Sequence, residues 1–375
     1  MTNFDDIRPF DDSEVQRALK DIINHPFFKS IMEFSHGNDL NENWKKDLLA
    51  ITTVTEFQEK FSYPATLKVL EKSADSFSVS GLDQLDKNES YLFISNHRDI
   101  LLDTCLLNVG LHEAGFKMTS SAIGDNLIQK SFLHNMAKLN RNFIVRRGLS
   151  PKQLLESSRN LALYIKHLLL EDNRSVWIAQ REGRTKDGND QTHSGVLKML
   201  AMAAADKDKF NYFNEVKVVP VAISYEYDPT DALKMPQLLA EANDLPYIKD
   251  KNEDFVTFMS GLVGQKKRIH IHVCRPLTQE IKHINESELN FNKQIEALGA
   301  VIDDAIIKNY KLWPTNYIAA DLIKNTNTFE KFYTTDEREL FIRRLERKLD
   351  KNNLQVLENF LNMYANPVFN QMDKS

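Results

Sequence analysis

The spacing of hydrophobic and polar positions changes character twice along the chain. Up to about residue 74, apolar side chains recur at helical spacing, as in SEVQRALKDIINHPFFKSIMEF. Beyond that point short strand-like runs alternate with helical segments, and after Trp313 the pattern is helical again. We therefore predict an N-terminal helical region (1–74), an α/β domain (75–325) and a C-terminal helical tail (326–375).

The central segment carries the strand signals. They are, in chain order, SFSVSGL, ESYLFIS, FKMTSSAI, RNFIVRR, SVWIAQ, VKVVPVAISYEY and KRIHIHVC. The clearest helix lies among them, in SPKQLLESSRNLALYIKHLLLED, where Ser150 and Gln153 form a capping box and Pro151 suits the first helical position. Strands that alternate with helices predict an α/β fold with a mixed central sheet flanked by helices.

Composition and the lengths of the apolar stretches exclude several classes of protein. The chain has 375 residues and a net charge of −5, which argues against nucleic acid as a bulk partner. Its most apolar helical stretches, LALYIKHLLL and VLKMLAMAAA, are shorter than the ~20 residues needed to cross a bilayer. Cys105 and Cys274 lie in apolar segments and form neither a disulfide framework nor a zinc site. Because the start also lacks a secretory signal, we expect a cytoplasmic protein.

The segment SNHRDILLD holds the strongest candidate chemistry. His97 follows a buried strand and precedes a helix, which is where functional side chains stand in α/β sheets. A histidine there can act as a general base, and either Asp99 or Asp103 can orient it. Asp103 lies deeper among leucines, where an unpaired carboxylate would be costly, so we favour it as the partner of His97. Asp99 remains the alternative, although a carboxylate in a first helical turn is also explained by the helix dipole.

This segment resembles the first block of the glycerolipid acyltransferases, the PlsC/PlsB-like superfamily. NRNFIVRR, IAQREGRTKDG and VVPVAISYEY resemble the second, third and fourth blocks and follow in the same order. The resemblance covers roughly residues 75 to 325. Two spacings differ from the family pattern: Asp103 comes one residue later than usual after His97, and Arg184 directly follows Gly183.

The resemblance implies transfer of a fatty acyl group from acyl-ACP or acyl-CoA to the hydroxyl of a glycerol-phosphate or lysophospholipid-type acceptor. His97 would be the base and Asp103 its orienter, with no covalent intermediate, because the substrate hydroxyl is the nucleophile. Guanidinium groups match a phosphate or carboxylate, which suits them to an anionic acceptor head. The residues implied in acceptor binding are Arg146, Arg147, Glu182, Gly183 and Arg184. No cofactor is implied beyond the acyl donor, and no metal.

Two other functions remain open at this point. One is a lipid-binding relative without turnover. The other is a metal-dependent phosphoesterase built from His97, Asp99, Asp103, Glu182 and His193.

The partners expected for the acyltransferase are acyl carrier protein or acyl-CoA and a lipid or lipid precursor. A lipid acceptor would require peripheral contact with the inner face of the membrane. The apolar stripe between Ile22 and Phe34 is the candidate for an interfacial helix. The alternative is that this stripe packs on the α/β domain.

Overall fold

The computed structural model describes residues 4–36, 43–205 and 209–374, and within these it shows a seven-stranded mixed sheet flanked by helices. The predicted fold class is therefore confirmed. The strands are β1 (Ala74–Ser80), β2 (Leu92–Ser95), β3 (Ser120–Gly124), β4 (Asn142–Val145), β5 (Val176–Ala179), β6 (Val218–Tyr225) and β7 (Lys267–Val273). Each of them lies within one of the predicted strand segments or overlaps it.

The strand order brings the functional loops to one edge of the sheet. The order is β1-β7-β6-β2-β5-β3-β4. Strands β2 to β6 pair in parallel with one another, whereas β7 pairs antiparallel with β6, and β1 pairs parallel with β7. The carboxyl ends of five strands thus meet at the same edge, and β2, which leads into His97, lies at the centre between β5 and β6.

Helices cover both faces of the sheet. The N-terminal helices are α1 (Asp12–Ile22), α2 (Pro26–His36), α3 (Trp44–Leu49), α4 (Val54–Phe57) and α5 (Tyr63–Ser73), with a π-helical turn (Gln58–Ser62) before α5. Those between the strands are α6 (Leu102–Glu113), α7 (Ser131–Leu139), α8 (Pro151–Leu170), α9 (Ser194–Leu200), α10 (Tyr212–Glu215), α11 (Asp231–Ala242) and α12 (Glu253–Val263). The last are α13 (Thr278–Asn285), α14 (Phe291–Asn309), α15 (Pro314–Lys324), α16 (Thr335–Lys348) and α17 (Leu354–Asp373). In the described ranges, no helix combines the length and the apolar character needed to cross a membrane.

Two hydrophobic cores hold the sheet. On one face, α8, α9, α13 and α14 pack against alternate side chains of the central strands, such as Ile94 and Ile178. On the other face, α5 and α6 pack against the intervening side chains, such as Phe93 and Trp177. This division follows from the two-residue period of a strand, which sends neighbouring side chains to opposite faces.

The N-terminal apolar stripe does not form one interfacial helix. Pro26 begins a second helix, so the stripe is split between α1 and α2. Ile22 and Phe28 are fully buried in a core that also includes Phe132 of α7. The alternative, packing on the rest of the protein, is the correct one, because burial against α7 removes the face that lipid would need.

The C-terminal helices are anchored by a buried carboxylate. Asp231, at the start of α11, accepts hydrogen bonds from Arg344 (2.9 Å), Lys348 (2.6 Å) and the Tyr364 hydroxyl (2.9 Å). These partners lie on α16 and α17, so the tail is fixed to the loop that follows β6. The domain boundaries at residues 74 and 325 stay a prediction.

Candidate active site

His97 and Asp103 are in direct contact. His97 Nδ1 lies 2.7 Å from Asp103 Oδ2, and the ring packs edge-on against Trp177, with the ring centroids 5.4 Å apart. In the described part of the chain, nothing hydrogen-bonds to His97 Nε2, and the side chain is 15 % exposed. The imidazole is therefore held by one nitrogen, while the other carries no hydrogen bond to the described residues, at the carboxyl end of β2.

Asp103 is a fully buried carboxylate with a complete set of donors. Its Oδ2 also accepts the backbone N–H groups of Arg98 (2.6 Å) and Asp99 (3.1 Å), and its Oδ1 accepts the Tyr225 hydroxyl (2.9 Å). It lies in the first turn of α6, where the helix dipole favours a negative charge. These interactions offset the cost of burying the charge and fix the direction of both oxygens.

Asp99 has a different role in the structure. Its Oδ1 accepts the N–H groups of Leu101 (3.0 Å) and Leu102 (2.8 Å), and thereby caps the start of α6. Burial and the nearby Asp103 raise the pKa of its carboxyl. The other side of Asp99 lies against Gly261 of α12, where a side chain would collide with the carboxylate. The structure thus places Asp103, and not Asp99, against His97.

The loop after β5 is bonded directly to the His97 segment. The Thr185 N–H donates to the His97 carbonyl at 2.9 Å, which places Arg184 and Lys186 on either side of that contact. Arg184 donates to the Thr230 hydroxyl (3.3 Å). Gly183, one residue earlier, has a positive φ of 72°, a left-handed conformation that a side chain would disfavour.

Three cations gather at this loop. Burial, assisted by the positive charge of Arg184, lowers the pKa of Lys186 to about 8. Lys234 of α11 adds to the positive charge around Lys186, although it is itself buried and paired with Asp228. A half-buried group of like charges is stabilised by an anion, so the arrangement suits an anionic ligand next to His97.

The remaining predicted site residues lie farther from His97. Arg147 pairs with Glu182, and Arg146 donates to Asp6 at 3.0 Å. Both arginines are exposed at the end of β4, which lies three strands from β2, or roughly 14 Å at ~4.8 Å per strand. The structure therefore brings together His97, Asp103 and the loop that carries Arg184, while Arg146 pairs with Asp6 and Arg147 reaches Glu182 in that same loop.

A large apolar cavity lies next to the segment that follows His97. It has a volume of about 460 Å³ and lies between α2, α5, α6, α7 and α12. Its wall includes Ile100, Leu101 and Leu102, which directly follow the His97–Asp99 segment. The cavity is also lined by those side chains of the N-terminal apolar stripe that are only partly buried, such as Phe27 and Ile31.

The described residues contain no group of three or more His, Cys, Asp or Glu side chains that could hold a metal ion. Of the set considered for a phosphoesterase, His193 is exposed and Glu182 is paired with Arg147.

A family model described as Acyltransferase matches residues 76–224, which include His97, Asp103 and Arg184. Residues 76–224 therefore match the Acyltransferase family. This confirms the predicted resemblance and, at the level of an acyltransferase, the predicted class of enzyme. No curated protein matches the chain. Among solved structures, the chain is similar to the 1-acyl-sn-glycerophosphate (LPA) acyltransferase PlsC from Thermotoga maritima, with 13% identity and a TM-score of 0.37, over 79% of this chain and 96% of that one.

The segment matched by the family model holds a second buried pair next to His97. Arg98 is buried and binds both oxygens of Asp190, at 2.7 and 2.5 Å. Burial alone would lower the pKa of Arg98, but the adjacent Asp190 raises it above its ordinary value. Because Asp190 lies in the loop after β5, this pair ties that loop to the residue next to His97.

Sequence reasoning missed three residues of this site. Tyr225 lies in a predicted strand, and the alternation within VVPVAISYEY places it on the same face as Val221 and Ile223, toward α6. Lys186 could have been suspected from its position two residues after Arg184. Asp190 gave no signal, because its partner is distant in sequence.

We expect Tyr225→Phe to lower the free energy of unfolding by about 1.5–3 kcal/mol, because the variant removes a hydrogen bond to a buried carboxylate. Tyr212→Phe is the matched control. Tyr212 is equally buried, but among the described residues its hydroxyl has no hydrogen-bond partner, so its loss should cost little. Urea unfolding of both variants checks the prediction, and equal losses would contradict the assigned contact between Tyr225 and Asp103.

Proposed function

We propose that this protein moves a fatty acyl group from an acyl thioester, acyl-ACP or acyl-CoA, to the hydroxyl of an acceptor that carries an anionic group. A single observation carries the proposal: His97 is held by Asp103 in a segment that continues into the wall of an apolar cavity and is bonded to the loop that carries Arg184 and Lys186. The acyltransferase family match supports the reaction type.

The proposed acyl transfer needs only two side chains, His97 and Asp103. His97 Nε2 takes the proton of the acceptor hydroxyl as the oxygen attacks the thioester carbonyl carbon. The imidazolium that forms is stabilised by Asp103, whose oxygens are held in place by the backbone N–H groups of Arg98 and Asp99 and by the Tyr225 hydroxyl. The tetrahedral intermediate then collapses, the carbon–sulfur bond breaks, and the proton on Nε2 passes to the departing thiolate. The products are an ester and a free thiol.

The apolar cavity supports an acyl chain as the transferred group. Its lining is largely aliphatic and aromatic, and Leu101 and Leu102 bring the wall to the segment that carries His97. Burial of an alkyl chain there is favourable by about 0.8 kcal/mol per methylene.

The cations support an anionic acceptor. Arg184 and Lys186 flank the residue that bonds to the His97 carbonyl, so an anion on them lies beside the base. Glycerol phosphate and lysophospholipids both place an anion next to a free hydroxyl, and they are the acceptor class we propose. Sequence reasoning gave Arg146 and Arg184 equal weight, whereas the strand order favours Arg184 as the acceptor residue.

The direct test supplies the purified protein with labelled acyl-ACP or acyl-CoA and measures ester formation across anionic acceptors. We expect wild-type turnover with at least one acceptor, none with His97→Ala, and a loss of ~10²-fold or more with Asp103→Asn. Asp99→Asn is the control, because asparagine caps a helix about as well as aspartate and the rate should change far less. Lipid binding without any ester formation would instead indicate a non-catalytic relative.

A second prediction separates the arginines. Arg184→Lys should raise the KM for the acceptor and leave the KM for the acyl donor nearly unchanged, because an ammonium cannot reproduce a two-pronged guanidinium contact. Arg146→Lys, which alters an exposed pair with Asp6, should change neither constant. A larger effect of Arg146→Lys on the acceptor would place the anion at the rim.

A further inference from the structure

The first part of helix α8 projects beyond the core of the protein. Residues 151–156 are all exposed, and the first buried residue of the helix is Leu161, about three turns from its start. A capping box of Ser150 and Gln153 satisfies the start of the helix locally, so it forms without tertiary packing. This part of α8 is therefore an ordered helix whose side chains meet solvent.

Two adjacent leucines stand on this projecting segment. Leu154 is 51 % and Leu155 is 61 % exposed. Lys152 and Arg159, three residues before and four residues after Leu155, lie on the same face of the helix and are also exposed. In the described part of the chain, neither cation has a hydrogen-bond or ion-pair partner. Exposed apolar side chains that are bordered by charges in this way mark an interaction site.

The segment around these leucines is positive, although the chain as a whole is negative. Residues 146–159 have a net charge of +3 in a chain of −5, because they contain one acidic side chain (Glu156) and four basic ones (Arg146, Arg147, Lys152 and Arg159). Arg181, exposed in the loop after β5, adds to this charge, since its neighbour Glu182 contacts Arg147. A local positive field on an acidic protein favours an acidic partner and steers its approach.

This positive segment belongs to the edge of the sheet that carries His97. Helix α8 follows β4, whose carboxyl end meets the same edge as that of β2. The pair between Arg147 and Glu182 joins the segment to the loop that carries Arg184. His97 itself is three strands away, or roughly 14 Å at ~4.8 Å per strand. A partner bound to α8 therefore reaches His97 only with an extended arm.

The apolar and charged side chains together select the kind of partner. A helix that lies on lipid needs a broad apolar face, but the other apolar side chains of α8, such as Ile165, are buried in the core. Acyl-CoA is a small molecule that can place its phosphates on the cations, but it leaves Leu154 and Leu155 uncovered. An acidic carrier protein with an apolar patch matches the cations and the leucines, and a small contact suits a partner that leaves after each transfer.

We propose that the start of α8 and the adjacent arginines form a docking surface for an acidic acyl carrier protein, which makes acyl-ACP the preferred donor over acyl-CoA. The inference rests on the proposed function, because it selects between the two donors named there. The bound carrier presents the acyl thioester on its extended prosthetic arm and leaves as the free thiol once the acceptor oxygen has taken the acyl group. The residues of this α8 surface are Arg147, Lys152, Leu154, Leu155, Arg159 and Arg181.

Steady-state transfer to glycerol 3-phosphate from palmitoyl-ACP and from palmitoyl-CoA tests the α8 surface. Wild type should have the lower KM for palmitoyl-ACP. Leu155→Asp combined with Arg159→Glu should raise that KM by about tenfold or more, because two positions that meet an acidic carrier become acidic themselves. The KM for palmitoyl-CoA and the KM for glycerol 3-phosphate should stay at their wild-type values.

Leu340→Asp combined with Arg347→Glu is the matched control. Both positions are exposed on the tail helix α16, with Leu340 at 49 %, and among the described residues Arg347 has no ion-pair partner. Each variant changes one leucine and one arginine to acidic residues, so their net charges are equal. The control should keep all three KM values, and the three proteins should melt at the same temperature because every changed side chain is exposed.

Several outcomes would overturn the proposal. An unchanged KM for palmitoyl-ACP in the α8 variant is one, and an equal rise in the α16 control is another. An equal rise for palmitoyl-CoA would mean that the surface holds phosphates rather than a carrier protein. Flotation of wild type with anionic vesicles that the α8 variant loses, while its KM for palmitoyl-ACP is unchanged, would make lipid the occupant.

Surface plasmon resonance with palmitoyl-ACP in the absence of acceptor separates this proposal from the proposed function. Binding that the α8 variant weakens about tenfold, and the α16 control does not, supports the docking surface even where no ester forms. Absence of ester from both donors would remove the proposed function, while the binding result would still decide the surface. Equal binding by all three proteins would remove the docking surface alone.

Discussion

The structure of the site depends on the burial of one carboxylate. Asp103 is fully excluded from solvent, and an ionised carboxylate in that position is unstable unless several donors reach it. The donors come from different parts of the chain: the backbone of the β2–α6 connection, the His97 ring and the Tyr225 hydroxyl of β6. Their convergence requires β6 to lie beside β2 and α6 to begin where it does, so the orientation of His97 is a consequence of the sheet order.

Other buried ion pairs hold the loops around the site in place. Arg98 with Asp190 fixes the loop after β5, and Lys234 with Asp228 fixes the segment after β6. The C-terminal helices complete the arrangement, because Asn366 of α17 donates to the Asp187 carbonyl (2.7 Å) and Gly188 lies against the backbone of Met363. Breaking the Arg98–Asp190 or the Lys234–Asp228 pair leaves an uncompensated buried charge, which is far more costly than losing a surface ion pair. The tail therefore stabilises the loop that carries Arg184, although it lies outside the segment matched by the family model.

Much of the fold can be predicted from local patterns in the sequence. The strands follow from two-residue alternation or short apolar runs, and the capping box at Ser150 with Gln153 marks the start of α8. Asp103 could also be chosen over Asp99, because a carboxylate among leucines must have a partner. The extra residue between His97 and Asp103 does not prevent their contact, since Asp99 caps the helix within that longer connection.

Other features depend on contacts that a single sequence does not reveal. Strand order is one: Arg146 and Arg184 both follow strands, but β4 lies at the edge of the sheet and β5 beside the centre. The pairing of Arg98 with Asp190 joins residues that are far apart in the chain. The sequence leaves open whether the N-terminal stripe meets lipid or protein, because an apolar face has the same pattern in both cases. What tells the two apart is the partner, here α7, which local periodicity does not identify.

The central claim is that the acceptor hydroxyl attacks the thioester directly, with His97 as its base. The most direct test is intact-mass spectrometry of the protein after incubation with the acyl thioester in the absence of acceptor, followed by addition of acceptor. The account predicts no increase in protein mass in the first step and ester product only after the second. An acylated protein that forms without acceptor, and then passes its acyl group into product, would contradict it.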